Sequence, residues 1–413
     1  MTGLAAMPRY EAYKDSGVEW LGEIPENWEV KALKHIAHLE SGETIAPQNF
    51  TETGFPVYGG NGFRGYTAKF TNEGHYALIG RQGALCGNVN YASGKFYASE
   101  HAIVVYPKDN AETLWVGEAI KVADFNRLSQ TAAQPGISVA VIKNERFPYP
   151  SDAERKAIAS YIKTKTTQID QAITIKKKQI ELLKECRQIL IQNAVTRGLN
   201  PQAPLRDSGV EWIGEIPAHW ELRRLKYVFN EATKRTKTGT ETLLSLRMER
   251  GLVSHNEVSD KPIPEENLID YKIVQSGQLV MNRMRAAIGI FGVANSYGLV
   301  SPDYAVFDIS DDASPDYFLR LFKTTLMGTQ FRLNSRGMGT GSSGFMRLYT
   351  ENFGNIAVPF PPKDEQTAIL GHIGKESERL EDAITLQQQQ IDKLKEYRAT
   401  LINSAVTGKI KVA

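Results

Sequence analysis

The twenty-two residues from Asp15 to Ile36, DSGVEWLGEIPENWEVKALKHI, return from Asp207 to Val228 as DSGVEWIGEIPAHWELRRLKYV, with fourteen positions identical. Chance does not produce such a match, so the chain is a tandem duplication and must fold as two like halves. A second repeated pair, FPYPSDAERKAI from Phe147 and VPFPPKDEQTAI from Val358, runs on without a gap to NAVT (Asn193 to Thr196) and SAVT (Ser404 to Thr407). Like halves imply a pseudo-two-fold axis, and two-fold objects suit targets that themselves come in two halves. Duplex DNA is the commonest of these.

The second repeated segment reads as a long helix. From Glu154 to Val195 there is no Gly or Pro, and Ile162, Ile169, Leu183 and Leu190 recur on a seven-residue line, with Ile173, Ile180 and Ala194 four positions further on. This is a heptad seam interrupted at Lys176 and Arg187. The second copy repeats it through Ile373, Leu380, Leu394 and Leu401 with Ile384, Ile391 and Ala405, interrupted at Gln387 and Arg398. Each stripe could lie on its own globular domain, or the two could cover each other. Shared length, phase and defects favour mutual pairing, and in one chain with two-fold symmetry the pair is antiparallel. At 1.5 Å per residue each helix is roughly 60 Å long. The hinges Phe147-Pro148-Tyr149-Pro150 and Val358 to Pro362 set the helix entries, with Ser151 as a candidate cap.

Between the repeated segments lie two variable blocks, about Ala37 to Arg146 and Phe229 to Ile356. Short apolar runs at Ala77 to Ile79, Ala102 to Tyr106, Gln278 to Met281 and Ala305 to Ile309 predict strands. Helices are expected near Leu114 to Arg127 and Pro315 to Phe331. Setting Arg81 on Arg283 also places Gly87 on Gly289, Ser99 on Ser301 and Trp115 on Tyr317, so the blocks share a faint common core. The expected architecture is α+β: two α/β domains joined by two long helices in an antiparallel coiled coil. Its parts are residues 1–146 (carrying the repeated segment 13–36), the helix 147–199, residues 200–357 (carrying 205–228) and the helix 358–413.

The net charge of +2 does not by itself announce a nucleic-acid binder. The two cysteines are neither spaced as metal ligands nor numerous enough for a disulfide framework, which fits a reducing compartment. With no apolar run of about 20 residues and no signal-peptide pattern at the start, a cytoplasmic protein is expected.

Groups able to read bases sit in the variable blocks. They are Asn61 and Arg64 in the glycine-rich run Tyr58 to Arg64, then Arg81 and Gln82, and in the second half Asn282, Arg283, Arg285, Arg336 and Arg347. Arg can clamp guanine, and Asn or Gln can clamp adenine, in the major groove. An exposed Arg in a turn is more often merely solvated, and Arg81 with Arg283 rise above the others because they match between the halves. Gly339 to Gly344 resembles a phosphate loop but lacks the Lys and Ser/Thr that should follow, and reads as a plain loop. There is no HExxH, no GxSxG and no Asn/Asp-Pro-Pro-aromatic motif, so no catalytic or metal site is assigned.

The DSGVEWLGEIP opening, the Pro-rich hinge followed by DAERKAI or KDEQTAI, the heptad helix and the repetition of the whole unit together resemble the specificity subunit of type I restriction-modification systems. The resemblance covers nearly the full chain. It implies two target-recognition domains, each reading one half of a split DNA sequence, held apart by the paired helices. It further implies a non-catalytic scaffold for two methyltransferase subunits, which hold S-adenosylmethionine, and for two restriction subunits, which use ATP and Mg. Base contacts differ among members of the family, so none transfers. The rivals are a duplicated enzyme with an unrecognised active site and a coiled-coil adaptor that does not touch DNA.

Overall fold

In each half, alternate residues of the central strands bury on opposite sides. The computed structural model describes residues 7–83, 85–108, 113–129, 136–261, 263–337 and 346–412. It divides into a first unit, Met1–Lys177 with Gln388–Ala413, and a second unit, Lys178–Gln387.

The first unit is built on a seven-stranded sheet of β1 (Ala37–Ser41), β2 (Phe50–Thr51), β3 (Phe55–Gly59), β4 (Gly62–Thr67), β5 (Asn72–Gly80), β6 (Val89–Ala98) and β7 (Ala102–Pro107). Their order is β1-β7-β5-β6-β3-β4-β2, antiparallel except where β3 meets β6. Ala77, Ile79, Ile103 and Val105 pack on one side with Trp115, Val116, Ala119 and Ile120 of helix α1 (Thr113–Val122). Leu78 and Val104 face the other way, into a cluster with Phe96 and Ala98. Burial on both faces explains why these strands read as unbroken apolar runs.

The second unit centres on a four-stranded sheet of β8 (Phe229–Ala232), β9 (Leu279–Asn282), β10 (Phe291–Val293) and β11 (Tyr304–Ile309), in the order β8-β11-β9-β10. Leu279, Met281, Ala305 and Phe307 pack on one side and Val280 and Val306 on the other. Beside it are α3 (Pro315–Phe322) and α4 (Thr325–Leu333), where the sequence suggested a single helix. The break falls at Thr324, whose hydroxyl accepts from Met327 N and caps α4.

The strand pairings bear out the faint homology of the blocks. In the first unit Ile79 faces Ile103 and Gly80 faces Ala102; in the second Met281 faces Ala305 and Asn282 faces Tyr304, the same register. Gly87 and Gly289 both adopt left-handed backbone, at φ +87° and +76°. Trp115 and Tyr317 are both fully buried.

The long helices are α2 (Asp152–Arg197) and α5 (Lys363–Val406). Within the first unit Ile158 and Ile162 of α2 pack with Ile402, Ala405 and Val406 of α5. Within the second, Leu190, Ala194 and Val195 of α2 pack with Ile369 and Ile373 of α5. Early residues of one helix meet late residues of the other, so the pairing in each unit is antiparallel. Ile162, Ile169, Ile180, Ile373, Ile391 and Leu401 are buried; Ile173, Leu183, Leu190, Leu380, Ile384 and Leu394 are half-buried, and no seam residue is exposed. The polar interruptions are matched across the seam: Lys176 donates to Gln390, Arg187 to Glu381 at 2.6 Å, and Arg398 to Asp170 at 2.9 Å.

The repeated segments lock the helix ends. Ser151 and Glu154 form a reciprocal cap, Glu154 N donating to Ser151 Oγ and Ser151 N to the Glu154 carboxylate. The buried Trp28 donates its indole N–H to Glu154 at 3.1 Å, and Trp220 donates to Glu365 at 2.7 Å. Behind each tryptophan lies the glycine that follows the other helix. A Cβ on Gly408 would stand 2.9 Å from Trp28, and one on Gly198 3.1 Å from Trp220. Arg155 and its repeat Gln366, both buried, donate to the hinge carbonyls of Pro150 and Pro361, at 2.5 and 2.9 Å. These contacts explain the retention of Trp, Glu and the proline hinge in both copies.

Candidate nucleic-acid interface

In the first unit β3 and β4 form a hairpin with Gly60-Asn61 at its tip, Gly59 facing Gly62 and Tyr58 facing Phe63. The tip presses onto the end of β5: a Cβ on Gly80 would lie 2.3 Å from Gly60 O, a distance no side chain tolerates. Immediately after β5, Arg81 N donates to His101 O and Arg81 O accepts from Ile137 N at 3.0 Å. These elements enclose a groove of about 630 Å³ lined by Asn61, Phe63, Arg64, Gln82, His101 and several glycines. Three of the candidates, Asn61, Arg64 and Gln82, are therefore brought together, and all three are exposed. Gln82 Oε1 lies 3.1 Å from His101 Nδ1, and Arg64 Nη1 donates to Ser99 Oγ at 3.5 Å. Arg81 is half-buried and makes no ion pair among the described residues.

In the second unit the matching turn after β9 is held by Asn282, whose Oδ1 accepts from Met284 N and Arg285 N at 3.1 and 3.2 Å. Leu348 N donates to Arg283 O at 2.9 Å, the counterpart of Ile137 on Arg81. Arg336 and Arg347 exchange backbone hydrogen bonds next to it, and Arg347 faces Asp303 at 3.4 Å. Arg285 and Arg336 are exposed. Burial raises the Tyr304 hydroxyl above its ordinary range, opposed by the charges of Arg247 and Arg285 and by a hydrogen bond with Asn282. Arg247, Arg285 and Asn282 thus gather about Tyr304, where the end of β9 meets the start of β11. Arg247, at the end of the strand Leu244–Arg247, carried no signal in the sequence.

The matched arginines share a backbone position but not a side-chain environment. Arg283 Nη2 donates to Glu231 at 2.6 Å and to Thr350 Oγ1 at 3.2 Å, while Lys272 Nζ donates to the same Glu231 oxygen at 2.7 Å. Burial opposes ionisation of Glu231, but the bonds from Lys272 and Thr350 and the charge of Arg283 outweigh it and hold its carboxyl below the usual glutamate range. Sequence pairing alone put Arg283 forward as a groove reader; in the structure its Nη2 joins an ion cluster with Glu231 and Lys272.

A family model described as type I restriction modification DNA specificity domain matches residues 25–185. The chain is 33% identical over 171 residues to the EcoprrI specificity subunit of Escherichia coli, covering 40% of this chain and 42% of that one. It is 22% identical to a putative MjaX specificity subunit of Methanocaldococcus jannaschii, over 95% of this chain and 96% of that one. Residues 25–185 thus carry that specificity domain, and the chain as a whole is similar to type I restriction-modification specificity subunits. Its fold is also that of solved specificity subunits. The HsdS subunit of Thermoanaerobacter tengcongensis superposes with a TM-score of 0.51 at 14% identity, over 94% of this chain and 98% of that one. A chain from work on complex assembly and conformational transition in a type I system superposes with a TM-score of 0.62 at 13% identity, over 93% and 98%. The match to the Escherichia coli relative spans less than half of that protein's length. No helix among the described residues is long and apolar enough to cross a membrane.

Proposed function

We propose that each unit reads one half of a split duplex target, the first through the groove around Asn61, Arg64, Arg81 and Gln82. In the second unit the readers are Asn282, Arg285, Arg336 and Arg347, together with Arg247. One observation carries the reading: Ile137 N on Arg81 O and Leu348 N on Arg283 O are duplicates of one hydrogen bond. The same platform is therefore built twice, with different side chains displayed at its edge. Major-groove readout asks for such hydrogen-bonding side chains on a rigid support.

The paired helices are proposed to space the units and to scaffold two methyltransferase subunits, and in the full complex two restriction subunits, in the cytoplasm. Specificity enters through this chain and chemistry through its partners, which would hold S-adenosylmethionine, ATP and Mg. The chain itself is proposed to be non-catalytic. The test is exchange of Ala37 to Arg146 for the matching block of a relative, followed by mapping of the methylated motif. One half-site should change and the other persist; a change in both would overturn the division of labour.

A further inference from the structure

Phe63 stands out in the first unit because a large apolar side chain is left 55% exposed at a place the fold holds rigid. It is the most exposed member of an aromatic chain that starts in the core. The fully buried Phe96 meets Tyr58 at 5.9 Å between ring centroids, Tyr58 meets Phe63 at 6.4 Å, and Phe63 meets Tyr66 at 5.1 Å. The cross-strand pairing of Tyr58 with Phe63 and the hairpin tip clamped on Gly80 fix the ring's position. Around it stand Asn61, Arg64 and Gln82, and no carboxylate lines the groove among the described residues. A preorganised aromatic ring among neutral and cationic donors matches a nucleobase, which offers a π-face and polar edges within a polyanion.

We propose that Phe63 is a stacking wedge: it enters the base stack of the half-site read by the first unit, unstacking one step while Asn61, Arg64 and Gln82 meet the base edges. This rests on the reading of the first unit as a half-site reader. The ring's position is set before binding, so insertion adds little ordering cost.

The experiment uses the full chain assembled with its methyltransferase subunits and a duplex of the mapped target carrying 2-aminopurine at each position of the first half-site in turn. Wild-type complex should brighten the probe at one step. Phe63→Ala should abolish that signal and weaken binding roughly ten- to a hundredfold, whereas Phe63→Trp should keep both. Thermal unfolding of Phe63→Ala should match the wild type, since the side chain is largely exposed. Tight, specific binding with no brightening at any step, or an unchanged Phe63→Ala complex, would overturn the wedge while leaving the half-site reading intact. Impaired assembly with the methyltransferase subunits, with DNA binding by the assembled fraction unchanged, would mark Phe63 as a protein contact and equally overturn it. Block exchange that leaves the first half-site unaltered would instead remove the underlying reading.

Discussion

Arg398, late in α5, donates to Asp170, in the first half of α2, across 2.9 Å. In the second unit Arg187 meets Glu381 at 2.6 Å. Asp170 and Glu381 are equivalent positions of the repeat, as are Arg187 and Arg398, so the duplication has copied one interhelical ion pair into both units. Such a pair specifies register more than it adds stability. With Asp170 and Arg398 53% and 39% exposed, its worth is on the order of 0.2–1 kcal/mol. Asp170→Arg should lower stability by about that amount, and the exchange Asp170→Arg with Arg398→Asp should restore it. Urea midpoints of the four proteins in a double-mutant cycle measure the coupling; a double variant as weak as the sum of the single ones would mean the charges do not meet.

The Glu231 cluster should behave as a single unit. Lys272, its side chain 4% exposed, depends on Glu231 for a counter-charge. Glu231→Gln is expected to cost about 3 kcal/mol, because a buried cation loses its partner. The folded-state pKa of Glu231 is depressed, so its contribution is fully present above the ordinary glutamate value and is lost as pH falls through the folded one. Stability of the wild type measured from pH 6 down should therefore fall more steeply than that of Glu231→Gln in the acid range. Parallel curves would remove Glu231 from the account.

Arg81 and Arg283 should part company on substitution. Arg81→Ala is expected to leave stability unchanged and to cost about 1 to 3 kcal/mol of discrimination at one position of the first half-site. Arg283→Ala should destabilise the second unit, with weaker binding following from the weakened fold. Thermal unfolding read beside binding to single-base variants separates the two effects. A uniform loss across all sequences for Arg81→Ala would identify a phosphate contact instead.

What sequence could reveal followed from how local the governing physics is. The heptad seam, the strand at Ala77 to Ile79 and the equivalence of Gly87 with Gly289 depend on periodicity or on duplication, both of which are written along the chain. The tie of Trp28 to Glu154 and to Gly408 joins residues far apart in the chain, and no pattern announces it, although the retention of Trp and Glu in both copies is its trace. Arg283 illustrates the opposite case. Alignment with Arg81 suggested a shared role, but the side chain's environment is decided by Glu231 and Lys272, which lie on other strands and have no ion-paired counterpart beside Arg81 among the described residues. The phosphate-loop-like run from Gly339 to Gly344 lies outside the described residues.

The helices as a ruler give the last prediction. Insertion of one heptad between Lys177 and Lys178 of α2, and of another at the equivalent point between Gln388 and Gln389 of α5, keeps the seam in phase in both helices. Seven residues lengthen each helix by ~10 Å. Along a duplex at ~3.4 Å per base pair this corresponds to about three base pairs. The half-site sequences should be unchanged, because no proposed reading residue of either unit is altered, and the preferred spacer between them should grow by about three. Binding should weaken as well, since three base pairs also turn the second half-site through roughly a third of a helical turn, given 10–10.5 base pairs per turn. Selection of bound sites from a library with randomised spacer length reads both effects at once. A folded, methylation-competent variant that keeps the original spacer would show that something other than helix length sets the distance, and the ruler would have to be given up while the two half-site readers stand.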